Sequence, residues 1–387
     1  MHWPGHVAII LHQPQMIADT GSQTKNAIPL KTPQPPGSIA LDQWRGLALA
    51  LVLVDHVFHE TRRVEGLGRI GVNLFFFISG ILVYRSLSRS RETSKRARGL
   101  SFLYRRVRRL YPALLAYLGL LLAAGYWLQR LPGQPAGSDY ANWLRHLPAA
   151  LLYVVNYTPA PPMSLGHLWS LACEMQFYLL APLIFFLGGN TSTRQHVVFG
   201  GCLLVFLGLG LSEPLLLANP YGTSSKYHFE FAVWPMMLGC WCEFQRDRIL
   251  QIPARWLKVA FWLFLVLSVA CLPLMLAGPS MKTPTVAAGA LMLIPCLLAY
   301  LAGWPAGGWP GKLLRWLGER TYSIYLWQQP FTICGFLRVA WWPLGALISI
   351  LVGAVWFRWF ERPFLSSYRQ EQVRKPTLFR PQPAERQ

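Results

Sequence analysis

Charge is scarce in this chain of 387 residues: Asp, Glu, Lys and Arg together make up 13%, and only 16 residues are acids. An ordinary soluble domain carries about twice that share, so one is excluded. The seven cysteines, Cys173, Cys202, Cys240, Cys242, Cys271, Cys296 and Cys334, include no CxxC pair and fall mostly in apolar segments. They read as packing residues, and neither a disulfide nor a metal site is expected. There is no GxSxG elbow to present a serine nucleophile. Residues 1–38 are rich in Pro, Gln and Thr, and their longest apolar run is Val7 to Leu11. That is too short for a signal-peptide core. The stretch reads as a disordered extension, with the natural start expected at Met16 or later.

What the chain has in abundance is apolar surface: 53% hydrophobic residues, 14% aromatic, and a mean hydropathy of +0.31. This is the composition of a polytopic membrane protein. The net charge of +20 does not point to nucleic acid, because the basic residues lie between apolar spans rather than along a soluble face. Membrane lipids and topology account for them. Runs long enough to cross the hydrocarbon layer occur near 40–59, 70–88, 112–129, 165–187, 196–212, 228–244, 257–277, 285–303, 317–337 and 342–360. The fold expected is therefore all-α, a bundle of about ten transmembrane helices over residues 39–365, followed by a basic tail at 366–387. The run from Leu147 to Val155 reads as a re-entrant or surface helix. Between the second and third runs, ten basic residues from Arg85 to Arg109 face one acid, Glu92. Basic loops stay in the cytoplasm, which with ten spans places both termini there.

The first span carries Arg45 and His56, eleven residues apart. At 100° and about 1.5 Å per residue they share a helix face, about 16 Å apart along the axis. One can hold an anion near a membrane surface while the other transfers a proton deeper in; equally, they can be a snorkelling arginine and a hydrogen-bonded histidine of the bundle. In the basic linker, if it is helical, Arg105 shares a face with Arg108 or Arg109, and Arg106 with Arg109. Such a rim can chelate phosphates or serve as a topology signal touching lipid headgroups. Ser79 and Gly80 in the second span are small enough for close helix contact. The fourth span opens on a run from Gly166 to Tyr178 that contains Glu174, read as lying at its outer end. A carboxylate there is costly unless it is paired or lines a wet cavity. The clusters Arg320 to Pro330 and Phe360 to Phe364 read as helix caps and interface groups.

In order, these clusters are Arg45 with His56, FFxxSG at Phe76 to Gly80, the arginines at 105–109, HxWSLxxExQFY at His167 to Tyr178, YSxYLW at Tyr322 to Trp327, and ExP at Glu361 to Pro363. Together they resemble the integral-membrane acyltransferase-3 family, whose members O-acylate bacterial cell-envelope glycans. The chain departs from the family pattern in two places. Met175 stands where a second acid is common, and Gln328 stands where a histidine often follows YLW.

The resemblance implies a multi-pass enzyme of the bacterial inner membrane. It takes an acyl group, acetyl expected, from cytoplasmic acyl-CoA as co-substrate, with no permanently bound cofactor, to a hydroxyl of an extracytoplasmic glycan or glycolipid. His56 is then the general base, a role that an imidazole's ordinary pKa of about 6.5 suits. Arg45, Arg105, Arg106, Arg108 and Arg109 are expected to hold the donor. Asp55, Glu60 or Glu174 orients the imidazole, with Asp55 and Glu174 taken as catalytic, and Trp169, Ser170, Gln176 and Tyr178 are expected to meet substrate. The competing class is a membrane transporter that uses the same ionisable groups for binding or proton coupling.

Overall fold

The computed structural model describes residues 35–57, 66–90, 92, 94–130, 138–189, 191–212, 227–273, 282–332 and 342–364. Residues 1–34 of the expected extension, the 366–387 tail and Glu60 lie outside the described residues. All regular structure among the described residues is helical. The helices are α1 (Pro36–Val57), α2 (Leu67–Ser88), α3 (Lys95–Leu128), α4 (Ser138–Leu151), α5 (Met163–Gly166), α6 (Leu168–Gly188), α7 (Ser192–Ser212), α8 (Phe229–Ala232), α9 (Trp234–Phe244), α10 (Arg246–Ile249), α11 (Ala254–Ala270), α12 (Lys282–Ala302), α13 (Gly308–Glu319), α14 (Thr321–Thr332) and α15 (Trp342–Trp356). The last runs on into a π turn, Phe357–Glu361.

Six helical stretches among the described residues are long and apolar enough to cross a membrane: 36–57, 67–88, 95–127, 163–188, 192–212 and 343–364. They make this a multi-pass membrane chain. The other expected runs differ in how far a helix covers them among the described residues. The 228–244 run is broken at Val233 into α8 and α9, with Pro235, which has no N–H to donate, in the first turn of α9. α11 has 17 residues, α12 has 21, and α14 is described from Thr321 to Thr332. The basic linker is no separate loop. α3 begins at Lys95 behind the Ser94 cap and continues for 34 residues, about 51 Å, straight through Pro112. Its arginines therefore share one helix with the span that follows. The 147–155 run ends the 14-residue α4, too short to cross.

Close helix crossings position the site. α1 packs on α13 and α2, and α2 packs on α9. At the first crossing Gly318 lies so near α1 that a Cβ there would stand 1.7 Å from the Asp42 carbonyl oxygen, and one on Gly46 would stand 1.9 Å from that of Leu314. Only glycine permits that approach. The buried Gln43 amide locks the same junction, donating to the carbonyls of Ala306 (2.8 Å) and Gly311 (3.1 Å) and accepting from the Ala306 N–H (2.7 Å). Gly80 makes the close contact expected of it, against Met236 of α9.

Candidate active site

α1, α2, α3, α6, α13 and α14 enclose a cavity of about 700 Å³, open solvent at its mouth included. Its charged lining residues are Arg45, Arg106, Arg109 and Glu174, with Ser79, Ser170, Thr321 and the tyrosines 178, 322 and 325 beside them. Three guanidinium groups against one carboxylate make a space suited to a polyanion.

Glu174 is both paired and cavity-lining, as the cost of a carboxylate in a span requires. It accepts hydrogen bonds from the Ser79 hydroxyl of α2 and the Tyr178 hydroxyl one turn along α6. Tyr178 in turn accepts from Arg106 (3.4 Å), whose guanidinium also lies 4.6 Å over the Tyr178 ring. Because α5 precedes α6 within the 163–188 stretch, Glu174 sits near mid-span rather than at the outer end. Arg45 pairs with Asp42 at 3.4 Å and lies within electrostatic reach of Arg109 and Glu174. Arg109 pairs at 3.5 Å with Glu361, which is fully buried and also accepts from Ser323 at 2.8 Å. The π turn, a geometry that recurs at functional sites, carries Glu361 inward while Trp359, two residues earlier, is exposed.

The five arginines expected to hold the donor therefore divide. Arg45, Arg106 and Arg109 line the cavity. Arg105 instead donates to Ser101 (2.6 Å) and Ser86 (3.4 Å), and neither it nor Arg108 is among the lining residues. Of the four residues expected to meet substrate, Ser170 and Tyr178 line the cavity. Trp169 packs against Tyr227, ring centroids 4.7 Å apart and planes tilted by 42°. Gln176, about 200° around the helix from Glu174, donates to the Tyr153 carbonyl (2.7 Å) and the Asn156 side chain (2.9 Å), fixing the segment after α4.

His56 lies outside this cavity's lining. Its Nδ1 is 2.9 Å from Oε1 of Gln328, the residue that stands where a histidine often follows YLW. Asp55 accepts instead from the Gly66 N–H at 2.9 Å, at the start of α2. Next to Gln328, Gln329 holds His167: its Oε1 accepts from the His167 backbone N–H (3.1 Å) and stands 3.0 Å from Nδ1. The two imidazoles are close enough to interact electrostatically. Between them and the cavity stand Ser170 and Tyr325, hydroxyl to hydroxyl at 2.7 Å, with Tyr325 donating to the His167 carbonyl (3.2 Å). His167, Ser170, Glu174 and Tyr178 recur at helical spacing along one face of α6, antiparallel to the Arg45-to-His56 face of α1. A polar track thus links the arginine end to the histidine end. His167 opens the HxWSLxxExQFY run but had no role assigned from sequence, and for Gln329 the available signal was two adjacent amides inside the apolar run of α14.

The family sequence model described as Acyltransferase domain, Acyl_transf_3, matches residues 38–364. The chain belongs to the acyltransferase-3 family. Among its relatives are the Peptidoglycan O-acetyltransferase OatA of Listeria monocytogenes, 27% identical over 75% of this chain and 49% of the relative, and the Putative peptidoglycan O-acetyltransferase YrhL of Bacillus subtilis, 26% identical over 76% and 48%. A Putative O-acetyltransferase of Staphylococcus aureus, SACOL0978, is 25% identical over 82% and 56%. The chain spans about half the length of these curated relatives. No solved structure matches it.

Proposed function

We propose that this acyltransferase-3 member moves an acyl group, acetyl by the names of its relatives, from cytoplasmic acyl-CoA to a hydroxyl of an extracytoplasmic glycan. Peptidoglycan, the glycan named in two of those relatives, is the acceptor class taken here. The observation that carries the reading is the arrangement of charge: three arginines around one cavity, and a histidine pair at the other end of the same helices. Arg45, Arg106 and Arg109 bind the donor's phosphates. Its extended pantetheine arm runs along the polar track and brings the thioester toward His56, about 16 Å along α1 from Arg45. His56 removes the proton from the acceptor hydroxyl as its oxygen attacks the thioester carbonyl. The C–S bond breaks, and the imidazolium returns the proton to the departing thiolate. Gln328 orients the ring, the part assigned from sequence to an acid.

The same arrangement supports the finer topology. In a ten-span bundle with both termini cytoplasmic, Arg45, the arginines of α3, Thr321 and Glu361 all belong to the inner side, where CoA thioesters are found. His56, His167 and the two glutamines then lie toward the outer half of a bacterial inner membrane. The test is transfer of radiolabelled acetyl from acetyl-CoA, supplied on the cytoplasmic face of membranes, to a glycan presented on the opposite face. Labelled glycan that depends on the protein is the expected result, and its absence with folded protein present overturns the proposal.

A further inference from the structure

Glu174 is out of place in a cavity suited to a polyanion. Its carboxylate repels any phosphate that sits beside Arg45, Arg106 and Arg109, and an acid within a span is costly to keep. A space built for phosphate alone would do better without it. Its hydrogen bonds are also uneven. The Ser79 and Tyr178 hydroxyls both donate to Oε1, whereas Oε2 has no partner among the described residues and is not sealed from the cavity that Glu174 lines. An ionised carboxylate can only accept, so Oε2 is a place for an N–H or O–H of the ligand.

The order of groups along α6 says which part of a ligand meets it. Tyr178, with the Arg106 guanidinium at its hydroxyl and over its ring, lies one turn from Glu174 towards the arginine end. Ser170, also in the lining, lies one turn the other way, towards His167. Each step is about 6 Å along the helix axis. We infer that Glu174 is a donor-recognition residue: Oε2 accepts a hydrogen bond from a hydroxyl or amide N–H of the donor's pantetheine arm, next to the phosphates held by the arginines. This rests on the acyl-CoA reading above. It sets Glu174 between the phosphates and the thioester, away from the reacting atoms. Ser79 and Tyr178 are positioning residues, which hold Oε1 and so turn Oε2 to the arm.

Glu174→Gln tests this with little change of shape. The amide keeps one oxygen for the Ser79 and Tyr178 hydroxyls and puts an NH2 group, which donates, in the place of Oε2. It also removes a negative charge from among the arginines, so a recognition role and a purely electrostatic one predict opposite signs. The measurement is the Kd, by calorimetry on the full chain in lipid nanodiscs, of CoA and of adenosine 3′,5′-bisphosphate, which carries phosphates but no arm. In Glu174→Gln, CoA is expected to bind about tenfold to a hundredfold more weakly, the worth of a hydrogen bond to a charged group, while the bisphosphate binds as in wild type or more tightly. Tighter binding of both ligands makes Glu174 a counter-charge only, equal weakening of both makes it a support of the fold, and unchanged CoA binding leaves Oε2 to solvent; each overturns the inference. Wild-type protein that binds neither ligand brings down the acyl-CoA reading itself, and this inference with it.

Discussion

Arg109 and Glu361 show how a single pair sets the cavity's charge. Glu361 is fully buried and bonded to Arg109 and Ser323, so it holds one guanidinium of the cavity in place without entering the lining. Removing one partner of a buried pair strands the other, at a cost of about 3–5 kcal/mol. Glu361→Gln leaves the partly exposed Arg109 guanidinium without its counter-charge, rather than a buried carboxylate without its cation, and so releases Arg109. It is expected to raise the acetyl-CoA KM several-fold with kcat changed less, and Arg109→Gln is expected to do the same more strongly; steady-state kinetics in proteoliposomes measure both. The sequence exposed the arginines and Glu174 because ionisable groups in apolar helices are conspicuous. It could not divide the four arginines at 105–109, since that depends on which face of α3 meets α6. Nor could it show that Gln328 and Gln329, ordinary amides by type, each hold a histidine.

The helices were legible where apolar runs were long and uninterrupted, as in α1, α2, α6 and α7. They were less legible where the physics is tertiary. α9 is short, set off from α8 by the break at Val233, and it packs closely on α2. The amphipathic α13 gave no signal as a span, yet it is a principal partner of α1. Its crossing at Gly318 leaves no room for a side chain. Gly318→Val is expected to push α13 from α1, destabilising the bundle by about 1–3 kcal/mol as overpacking does and lowering the yield of folded protein on size-exclusion chromatography. Gly119, whose Cβ would meet nothing within 4 Å, is the control, and the same test at that position is expected to leave the yield unchanged.

Across the whole molecule the proposal stands on sidedness. On the proposed reading, charge in the loops and a cytoplasmic donor both place Lys95 inside. The exposed Ala160, between α4 and α5, then lies outside. In intact spheroplasts a membrane-impermeant thiol reagent is expected to label Ala160→Cys and spare Lys95→Cys until the membrane is opened. The opposite pattern would turn the arginine cavity away from its donor.

The most direct test of the chemistry is made at His56. The measurement is the rate of acetyl transfer from labelled acetyl-CoA to glycan by wild type and His56→Ala, in proteoliposomes holding equal amounts of folded protein. Loss of a general base costs about 10²–10⁴-fold, so transfer should fall by that factor while acetyl-CoA still binds at the arginine cavity. A His56→Ala protein that transfers acetyl groups at the wild-type rate would contradict the mechanism.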